Sequence, residues 1–323
     1  MADTVMILAT GGTIAGTEDK NYASGYEPGV LSVDELIKDA SLSEICNIRT
    51  SQICNINSDD ITSSIWIGLA KKIDELSEDD TIKGFVITHG TDTLEETAFF
   101  LKHTVKTGKP VVITGSMKPA DSKETDGPLN LYDAVKVAYD DSSSGRGVIV
   151  TFAGKIYSAA FVYKAKTDDV DAFGSYPQKI LGTVEKGNVS YLQTKDKSDY
   201  NGTYFDIKGI SSLPKVNIYK FNVDADPEIL KMMADRSDGL ILEGAGAGEY
   251  SKDLIRLMEG LSIPVVICSR SVNGYVSPGD LLNKNTVAGY SFSSQKAAIL
   301  LRLALTVSCD IGFLRYIFSI TAG

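Results

Sequence analysis

Residues 7–16 read ILATGGTIAG, an apolar run that passes directly into two glycines and a threonine. A short apolar run that ends in glycine predicts a buried strand followed by a tight turn. Glycine lets the backbone turn sharply and lets a ligand approach it closely. Thr13 therefore stands at a predicted strand end, where a phosphate-binding loop would have a third glycine.

The pattern of an apolar strand followed by a turn recurs along the first half of the chain. Such runs stand at 4–9, 84–90, 110–116 and 147–153. Runs that are apolar on both faces are typical of a parallel sheet that helices cover on each side. The predicted fold class is α/β: a larger N-terminal, doubly wound and mainly parallel sheet flanked by helices, with a smaller C-terminal α/β domain.

Helical signals lie between these predicted strands. One buried helical face is indicated by four apolar residues at every fourth position: Ile61, Ile65, Leu69 and Ile73. Ser32 with Glu35, and Thr93 with Glu96, have the spacing of capping boxes. Each pair predicts the start of a helix.

A polar stretch at 192–209 interrupts the alternation of strands and helices and offers few apolar anchors. The connection between two domains is therefore predicted there. The predicted parts are an N-terminal domain, a connection and a C-terminal domain, over 1–192, 193–214 and 215–323. In the last part, helices are predicted near 227–235, near 251–260 and from about Ser294.

Composition and charge exclude several classes of protein. Of the 323 residues 43% are hydrophobic, which is ample for the cores of two domains. The 32 basic and 42 acidic residues give a formal net charge of -10, so the surface repels phosphate backbones and anionic lipid. No apolar run approaches the roughly 20 residues of a membrane helix. Nucleic acid and membranes are therefore not predicted partners.

Metal and nucleotide sites lack their usual motifs in this chain. Two histidines and four cysteines without a CxxC pair make no zinc spacing, so neither a metal nor a cofactor is predicted. Buried free thiols are favoured over a disulfide between Cys46 and Cys54. Thr13 breaks the GxGxxG pattern, and GAGAGE at 244–249 ends in glutamate, where that pattern has glycine. Neither histidine stands beside a serine elbow, which disfavours a Ser-His-Asp triad.

Three predicted strand ends carry hydroxyl groups to the edge of the sheet where ligands bind in such folds: Gly11-Gly12-Thr13, Gly90-Thr91-Asp92-Thr93 and Gly115-Ser116. Ordinary turn and cap chemistry explains any one of them, but two adjacent Gly-Thr ends favour a site. A threonine hydroxyl needs a base to become a nucleophile, and a lysine held by a carboxylate can serve. Asp92 is the predicted carboxylate, while spacing alone leaves Lys164 and Lys166 equally suited.

Two of these segments point to a family. ILATGGTIAG at 7–16 and VITHGTDTLEETAFFL at 86–101 resemble the two signature segments of bacterial-type L-asparaginases, within the broader asparaginase and glutaminase-asparaginase family. The resemblance continues through GPLNLYDAVKVA at 127–138 to QKAAILLRLALT at 295–306. It covers nearly the whole chain and is strongest to the type II, high-affinity group.

The resemblance implies an amidohydrolase that converts L-asparagine to L-aspartate and ammonia without a cofactor. Thr13 would be the nucleophile that forms an acyl-enzyme. Tyr26 would belong to a mobile lid and hydrogen-bond the Thr13 hydroxyl. Thr91, Asp92 and Lys164 would form a relay that activates the attacking water or assists the first proton transfer.

The resemblance also implies which residues hold the substrate. Asp92 would face its α-ammonium group. Ser58, just before a predicted helix, would face its α-carboxylate. Gly12, Gly90 and Ser116 would line the pocket at the strand ends, where backbone N–H groups can hold an oxyanion.

Two positions depart from the family pattern. Asp59 stands where many relatives have glutamine, which leaves more room beside the substrate and predicts some L-glutaminase activity. In the C-terminal domain, Asp280 aligns with a glutamate, and Ala247 with an asparagine, that the family often supplies from a neighbouring subunit. Asp280 is one methylene shorter than glutamate. The resemblance implies a homotetramer built as a dimer of dimers.

Two other functions and two locations stay open at this point. One alternative is an amidotransferase-type subunit that releases ammonia for transfer to misacylated tRNA, which the acidic charge disfavours. The other is a non-catalytic amino-acid-binding protein, which would not need Thr13, Tyr26, Thr91 and Lys164 together. The sequence as it stands predicts a cytoplasmic protein, and removal of a signal peptide would make it periplasmic or secreted.

Overall fold

The computed structural model describes residues 3–22, 25–38, 41–178, 180–192 and 204–322. The chain divides into two units, Met1–Lys208 and Gly209–Gly323. Part of the connection predicted over 193–214 lies outside the described residues, namely 193–203. Each unit has its own sheet and its own apolar core.

A mainly parallel sheet is the framework of the first unit. The strands of this unit, in chain order, are β1 (Thr4–Gly11), β2 (Thr17–Glu18), β3 (Tyr26–Glu27), β4 (Asn47–Ile56), β5 (Ile82–Thr88), β6 (Val111–Thr114), β7 (Val148–Phe152), β8 (Lys155–Ser158), β9 (Val162–Lys164), β10 (Phe173–Ser175), β11 (Gly182–Glu185) and β12 (Asn188–Tyr191). Eight of them form one sheet in the order β12-β11-β8-β7-β6-β5-β1-β4. From β7 to β4 all neighbours are parallel, whereas β8, β11 and β12 pair antiparallel. The pairs β2–β3 and β9–β10 are separate antiparallel ribbons.

Helices cover both faces of this sheet. They are α1 (Val33–Leu36), α2 (Ser63–Ser77), α3 (Leu94–Thr104) and α4 (Gly127–Tyr139). On one face α4 packs against alternate strand residues such as Ile7 and Val86. On the opposite face, where Leu8 and Phe85 are fully buried, α2 and α3 pack against the strands. The doubly wound α/β fold class predicted from the sequence is confirmed.

The predicted helix-start signals have different outcomes. The carboxylate of Glu35 accepts the backbone N–H of Ser32 at 2.8 Å, so the first capping box is confirmed. Thr93 is the N-cap of α3 but makes no cap hydrogen bond, since its backbone, with a ψ of 14°, is not extended. Its hydroxyl donates to the carbonyl oxygen of Ser58 at 2.8 Å. The helix start predicted at Thr93 is therefore confirmed but its capping box is wrong, and the threonine hydroxyl ties two loops together.

The predicted buried face of α2 is one turn shorter than the sequence spacing indicates. Ile61 closes the one-turn 3-10 helix Ser58–Asp60 and precedes α2. Ile65 is half-buried, and Leu69 and Ile73 are fully buried. Ile61 fits the four-residue spacing because the turn that precedes α2 also ends in a half-buried apolar residue.

The second unit contains a smaller, fully parallel sheet. Its strands are β13 (Val216–Lys220), β14 (Gly239–Gly244), β15 (Val265–Ser269) and β16 (Thr286–Ala288), and its helices are α5 (Pro227–Ala234), α6 (Lys252–Glu259), α7 (Ser294–Leu305) and α8 (Ile311–Ala322). The strands lie in the order β13-β14-β15-β16. The three predicted helices are confirmed, while β16 and α8 add to the predicted pattern. Across the described ranges of both units, no helix has the length and apolarity needed to cross a bilayer.

The four cysteines are free thiols, as the sequence favoured. Their predicted burial holds only for Cys268, since Cys46 and Cys54 are half-buried and Cys309 is exposed. Burial raises the pKa values of the Cys46, Cys54 and Cys268 thiols. These thiols therefore stay protonated and unreactive near neutral pH.

Candidate active site

Four loops with polar side chains meet at the carboxyl edge of the parallel strands. The strands β4, β1, β5 and β6 are neighbours in that order and run in the same direction. Ser58, Thr13, Thr91 and Ser116 respectively follow their ends. The sheet therefore brings the predicted strand ends to one edge, where ligands bind in open parallel sheets.

Glycines allow these loops to approach one another closely. Gly12 has a φ of 83°, and a Cβ atom built there would overlap the backbone of Gly90. A Cβ atom at Gly90 would lie 2.8 Å from the Cβ and Oγ atoms of Ser58. A side chain at Gly12 would push the Thr13 loop away from the Gly90 loop, and one at Gly90 would push that loop away from Ser58.

Thr13 is the predicted nucleophile and has a hydrogen-bond acceptor beside it. It begins the one-turn 3-10 helix Thr13–Ala15 and is 5% exposed. Its Oγ1 donates a hydrogen bond of 2.9 Å to the phenol oxygen of Tyr26, which lies on β3. The β2–β3 ribbon is fastened further, since the backbone N–H of Glu18 donates to the carboxylate of Asp121 at 2.9 Å.

A second group of polar side chains surrounds the ammonium group of Lys164, on β9. Its Nζ donates to Thr91 Oγ1 at 2.8 Å and to Asp92 Oδ1 at 2.5 Å. The lysine side chain is 17% exposed and that of Asp92 is 53% exposed. Lys166 pairs instead with Asp169 at 2.6 Å. The two lysines that sequence spacing could not distinguish therefore have different partners.

Lys164 is also held at its backbone, by a residue that sequence reasoning missed. Its N–H donates to Glu95 Oε2 at 2.5 Å. Glu95 lies in the first turn of α3 and is 8% exposed. Acidic residues are common in first helical turns because they favour the positive end of the helix dipole. Nothing in the sequence therefore marked Glu95 as part of a site.

Ser58 presents an unused hydroxyl to the same loops. It is 2% exposed, and its Oγ has no hydrogen-bond partner in the part of the chain that the structure describes. Buried polar atoms are normally hydrogen-bonded, so this oxygen is a candidate ligand contact. The side chain of Asn57 accepts the Ser58 N–H at 2.9 Å and donates to Asp59 Oδ2 at 3.1 Å. Asn57, also missed from the sequence, thus orients the Asp59 carboxylate.

A buried hydrogen-bond chain fixes the turn at Gly90. His89 Nδ1 lies 2.7 Å from the Gly90 carbonyl oxygen, and its Nε2 lies 2.9 Å from Thr97 Oγ1. Because a carbonyl only accepts, Nδ1 carries the proton and Nε2 accepts from Thr97, which accepts from Trp66 Nε1 at 2.7 Å. Burial lowers the pKa of His89 to about 4. The ring is therefore neutral and supports the turn rather than acting as a base.

Two predicted substrate contacts have local partners. Ser116 is fully buried, and its Oγ donates to the carbonyl oxygen of Lys118 at 2.7 Å. Asp280 belongs to the second unit, where its carboxylate accepts the N–H and the hydroxyl of Ser277, both at 2.7 Å. These hydrogen bonds lower the pKa of Asp280 and make it a cap of the turn Pro278–Asp280. The substrate roles of Ser116 and Asp280 stay predictions.

The groups in the first unit form two sets with complementary chemistry. Thr13 and Tyr26 pair a buried hydroxyl with a neighbouring phenol that accepts its hydrogen bond and can pass a proton onward. Lys164 links the Thr91 hydroxyl to the Asp92 carboxylate. A positioned hydroxyl with an adjacent proton acceptor is the arrangement that acyl transfer requires, and the ammonium–hydroxyl pair can move a second proton.

Comparisons with known proteins identify a family that matches both units of the chain. Residues 4–197 match the family described as Asparaginase, N-terminal, and residues 215–318 match the Glutaminase/Asparaginase C-terminal domain. The chain is 39% identical to a protein of Haemophilus influenzae named "Probable L-asparaginase periplasmic", over 95% of this chain and 89% of that protein. It is 38% identical to "L-asparaginase 2" of Escherichia coli, over 98% of this chain and 92% of that protein.

A solved structure is also similar over nearly the whole length. It is described as the crystal structure of a probable cytoplasmic L-asparaginase from Campylobacter jejuni, with a TM-score of 0.90 and 36% sequence identity. The match covers 98% of this chain and 99% of that one. Fold and site thus define a two-unit α/β protein with a buried hydroxyl at its ligand-binding edge. The chain belongs to the asparaginase family.

Proposed function

We propose that this chain hydrolyses L-asparagine to L-aspartate and ammonia, with Thr13 as the nucleophile. The observation that carries the proposal is the hydrogen bond of 2.9 Å from Thr13 Oγ1 to the Tyr26 phenol oxygen. This bond lies at the strand ends where open parallel sheets bind ligands. Membership of the asparaginase family supports the choice of substrate.

In the first step, Thr13 Oγ bonds to the side-chain amide carbon of asparagine. The threonine proton passes toward Tyr26 and on to the departing nitrogen, which leaves as ammonia. An aspartyl ester of Thr13 remains. Water then attacks the ester carbon, aspartate leaves, and a proton returns to the threonine oxygen. The Gly12 N–H already donates to the Ile56 carbonyl oxygen at 2.9 Å. Other backbone N–H groups at these strand ends are therefore the candidate donors to the oxyanion, a contribution of about 3 to 4 kcal/mol per donor in other enzymes.

Lys164, Thr91 and Asp92 supply the second proton path. The Thr91 hydroxyl lies 2.8 Å from Lys164 Nζ and can pass a proton between that nitrogen and the attacking water. The same contact would serve the first proton transfer. Asp92 holds the lysine nitrogen in place through their contact of 2.5 Å.

Ser58 and Asp92 provide recognition of an α-amino acid. The unpartnered Ser58 Oγ is a donor for the α-carboxylate. Asp92 binds Lys164 through Oδ1 while its side chain stays 53% exposed, so its carboxylate is accessible to an α-ammonium group. L-asparagine carries an α-carboxylate for Ser58 and an α-ammonium group for Asp92. One methylene separates its α-carbon from the side-chain amide.

The direct test is ammonia release from L-asparagine by the purified protein. Thr13→Ala should reduce kcat by about 10³-fold or more, because no other hydroxyl replaces the nucleophile. Thr17→Ala, the same change four residues further along, is the matched control and should leave kcat near that of the parent. Release at the parent rate by Thr13→Ala would refute the mechanism. Binding of asparagine without ammonia release by the parent would indicate an amino-acid-binding protein.

Asp59 extends the proposal to L-glutamine. Its short side chain leaves room beside the substrate, and discrimination of one methylene is typically worth only about 1 to 3 kcal/mol. The matched C-terminal family is itself named for both activities. Asp59→Gln should raise the ratio of kcat/KM for asparagine over glutamine by about threefold or more, measured with both amides. Asp60→Asn, the neighbouring acid, is the control, and an unmoved ratio in Asp59→Gln would refute this role.

Assembly and compartment complete the proposal. A homotetramer built as a dimer of dimers is supported by the family resemblance, and light scattering would test it through a mass of four chains. Among the similar proteins, one is named periplasmic and another is described as cytoplasmic. Fractionation of the producing cell would assign this chain to one compartment.

A further inference from the structure

The ribbon that carries Lys164 is not part of the eight-stranded sheet. Strand β9 pairs with β10 alone among the described strands. Sheet hydrogen bonds therefore do not fix β9 relative to the end of β5, where Thr91 and Asp92 lie. Phe173 on β10 is held against the main sheet by the Tyr157 hydroxyl and the Phe152 ring, whereas the Lys164 end of β9 contacts the segment 91–95.

Lys164 makes these contacts at both of its ends. Its Nζ donates to Thr91 and Asp92, and its backbone N–H donates to Glu95. We propose that Glu95 is the positioning residue that holds Lys164 in reach of Thr91, an inference that rests on the proposed function. Glu95 bonds to the backbone N–H of Lys164, so the role proposed for it is to position the lysine.

The surroundings of Glu95 suit that task. It is 8% exposed, and its Oε2 accepts the Lys164 N–H at 2.5 Å. It stands in the first turn of α3, whose dipole favours a negative charge there. The residues on either side of this turn, Leu94 and Ala98, are fully buried. Glu95 is thus a fixed anchor on a packed helix.

Fixing both ends of a lysine matters because its side chain is long and flexible. Four methylene groups separate the backbone from Nζ, and each has alternative rotamers. Both anchors belong to the segment 91–95, so the ammonium group and the Thr91 hydroxyl are set by the same piece of chain. Loss of the hydrogen bond from the Lys164 N–H to Glu95 would let β9 shift. The distance of 2.8 Å between Lys164 Nζ and Thr91 Oγ1 would then lengthen.

Four variants at two positions test the inference. Glu95→Ala should lower kcat for asparagine by about 10- to 100-fold, the scale of a misplacement near 1 Å, with KM within about threefold, because Ser58 is untouched. Glu95→Gln keeps an acceptor oxygen at the same reach and should recover most of the kcat. Glu95→Asp keeps the charge but is one methylene shorter, and should lie nearer to Glu95→Ala.

The matched control is Asp171→Asn. Asp171 lies between β9 and β10 and binds Lys155 at 2.6 Å, so it supports the same ribbon without contacting Lys164. Its kcat should stay within about twofold of the parent. The pH profile of kcat should also be the same in Glu95→Gln as in the parent, since the role assigned is reach and not charge.

Each outcome either supports or overturns the inference. A Glu95→Ala protein with the parent kcat overturns it, and so does a series in which Glu95→Asp is active and Glu95→Gln is not. If Glu95→Ala fails to fold, the order of the Gln and Asp variants leads to the same conclusion. Active parent protein with inactive Thr13→Ala keeps the proposed function whatever the Glu95 series shows. Inactive parent protein overturns both.

Discussion

Ser58 and Ser116 are buried serines at strand ends of the same sheet, but their hydroxyl groups differ in one respect. Ser116 Oγ donates to a carbonyl oxygen at 2.7 Å. Ser58 Oγ has no partner within the described residues. A buried hydroxyl without a partner gives up its hydration and receives nothing in return. Such a hydroxyl lowers the stability of the ligand-free protein. It is useful where a bound ligand supplies the missing hydrogen bond.

This difference predicts opposite consequences for the same substitution. Ser58→Ala should leave the free energy of unfolding unchanged or slightly higher, and should raise KM for asparagine by about tenfold, since a buried charged hydrogen bond to the ligand is lost. Ser116→Ala should lower the free energy of unfolding by about 1 kcal/mol. Urea unfolding and steady-state kinetics on both variants give the measurement. A Ser58→Ala protein with the parent KM would count against the carboxylate contact.

Single residues also show which parts of the site could be predicted from the sequence and which could not. Thr13 stood out because a hydroxyl replaced glycine at a strand end. Lys164 and Lys166 did not separate, because they follow the same apolar run and only their partners in space differ. Glu95 and Asn57 act through hydrogen bonds to backbone or to a neighbouring carboxylate. Such bonds depend on loop positions that spacing does not encode.

At the scale of elements, the parallel strands were predictable and the ribbons were not. The central strands are buried on both faces, so each is a continuous apolar run. The ribbons β2–β3 and β9–β10 have two or three residues per strand and carry no such pattern. They are held by contacts such as that between Glu18 and Asp121. The ribbons nevertheless carry Tyr26 and Lys164, two of the five predicted catalytic residues.

The start of α3 shows how tertiary contacts override a local signal. The Thr93 hydroxyl donates to the Ser58 carbonyl instead of capping the helix, which is what its spacing with Glu96 predicts. The bond joins the loop after β4 to the loop after β5. Thr93 has a φ of -119° and a ψ of 14° rather than the extended backbone usual for a cap residue. Its hydroxyl makes no bond to a helix N–H, and the site gains a link between two of its loops.

At the scale of the whole molecule, two buried groups with displaced pKa values link stability to pH in opposite directions. Burial lowers the pKa of His89 to about 4, from an ordinary value of 6.5. Burial raises the pKa of Asp133, on α4, to about 6 from an ordinary value of 3.8. Both side chains are nearly inaccessible, at 0% and 4% exposed, so solvent screening reduces neither effect much.

The sign follows from which state binds the proton. As pH falls from 6.5 to 4, the unfolded chain protonates His89 and the native chain does not, so stability is lost toward acid. As pH rises from 3.8 to 6, the unfolded chain releases the Asp133 proton while the native chain keeps it, so stability is lost toward neutrality. Each contribution amounts to about 3 kcal/mol, and between pH 4 and 6 they nearly cancel.

Asp133→Asn should therefore expose the contribution of His89. The amide keeps the shape of the side chain but cannot ionise, so the variant should match the parent at pH 4 and exceed its free energy of unfolding by about 2 to 3 kcal/mol at pH 7. Guanidinium unfolding of both proteins from pH 4 to 7 measures the difference in their free energies of unfolding. Every other carboxylate titrates in both proteins alike, so its contribution cancels in that difference. A difference that stays constant from pH 4 to 7 would mean that Asp133 is ionised in the native protein throughout. Burial of its carboxyl on α4 would then be relieved by water or a partner group.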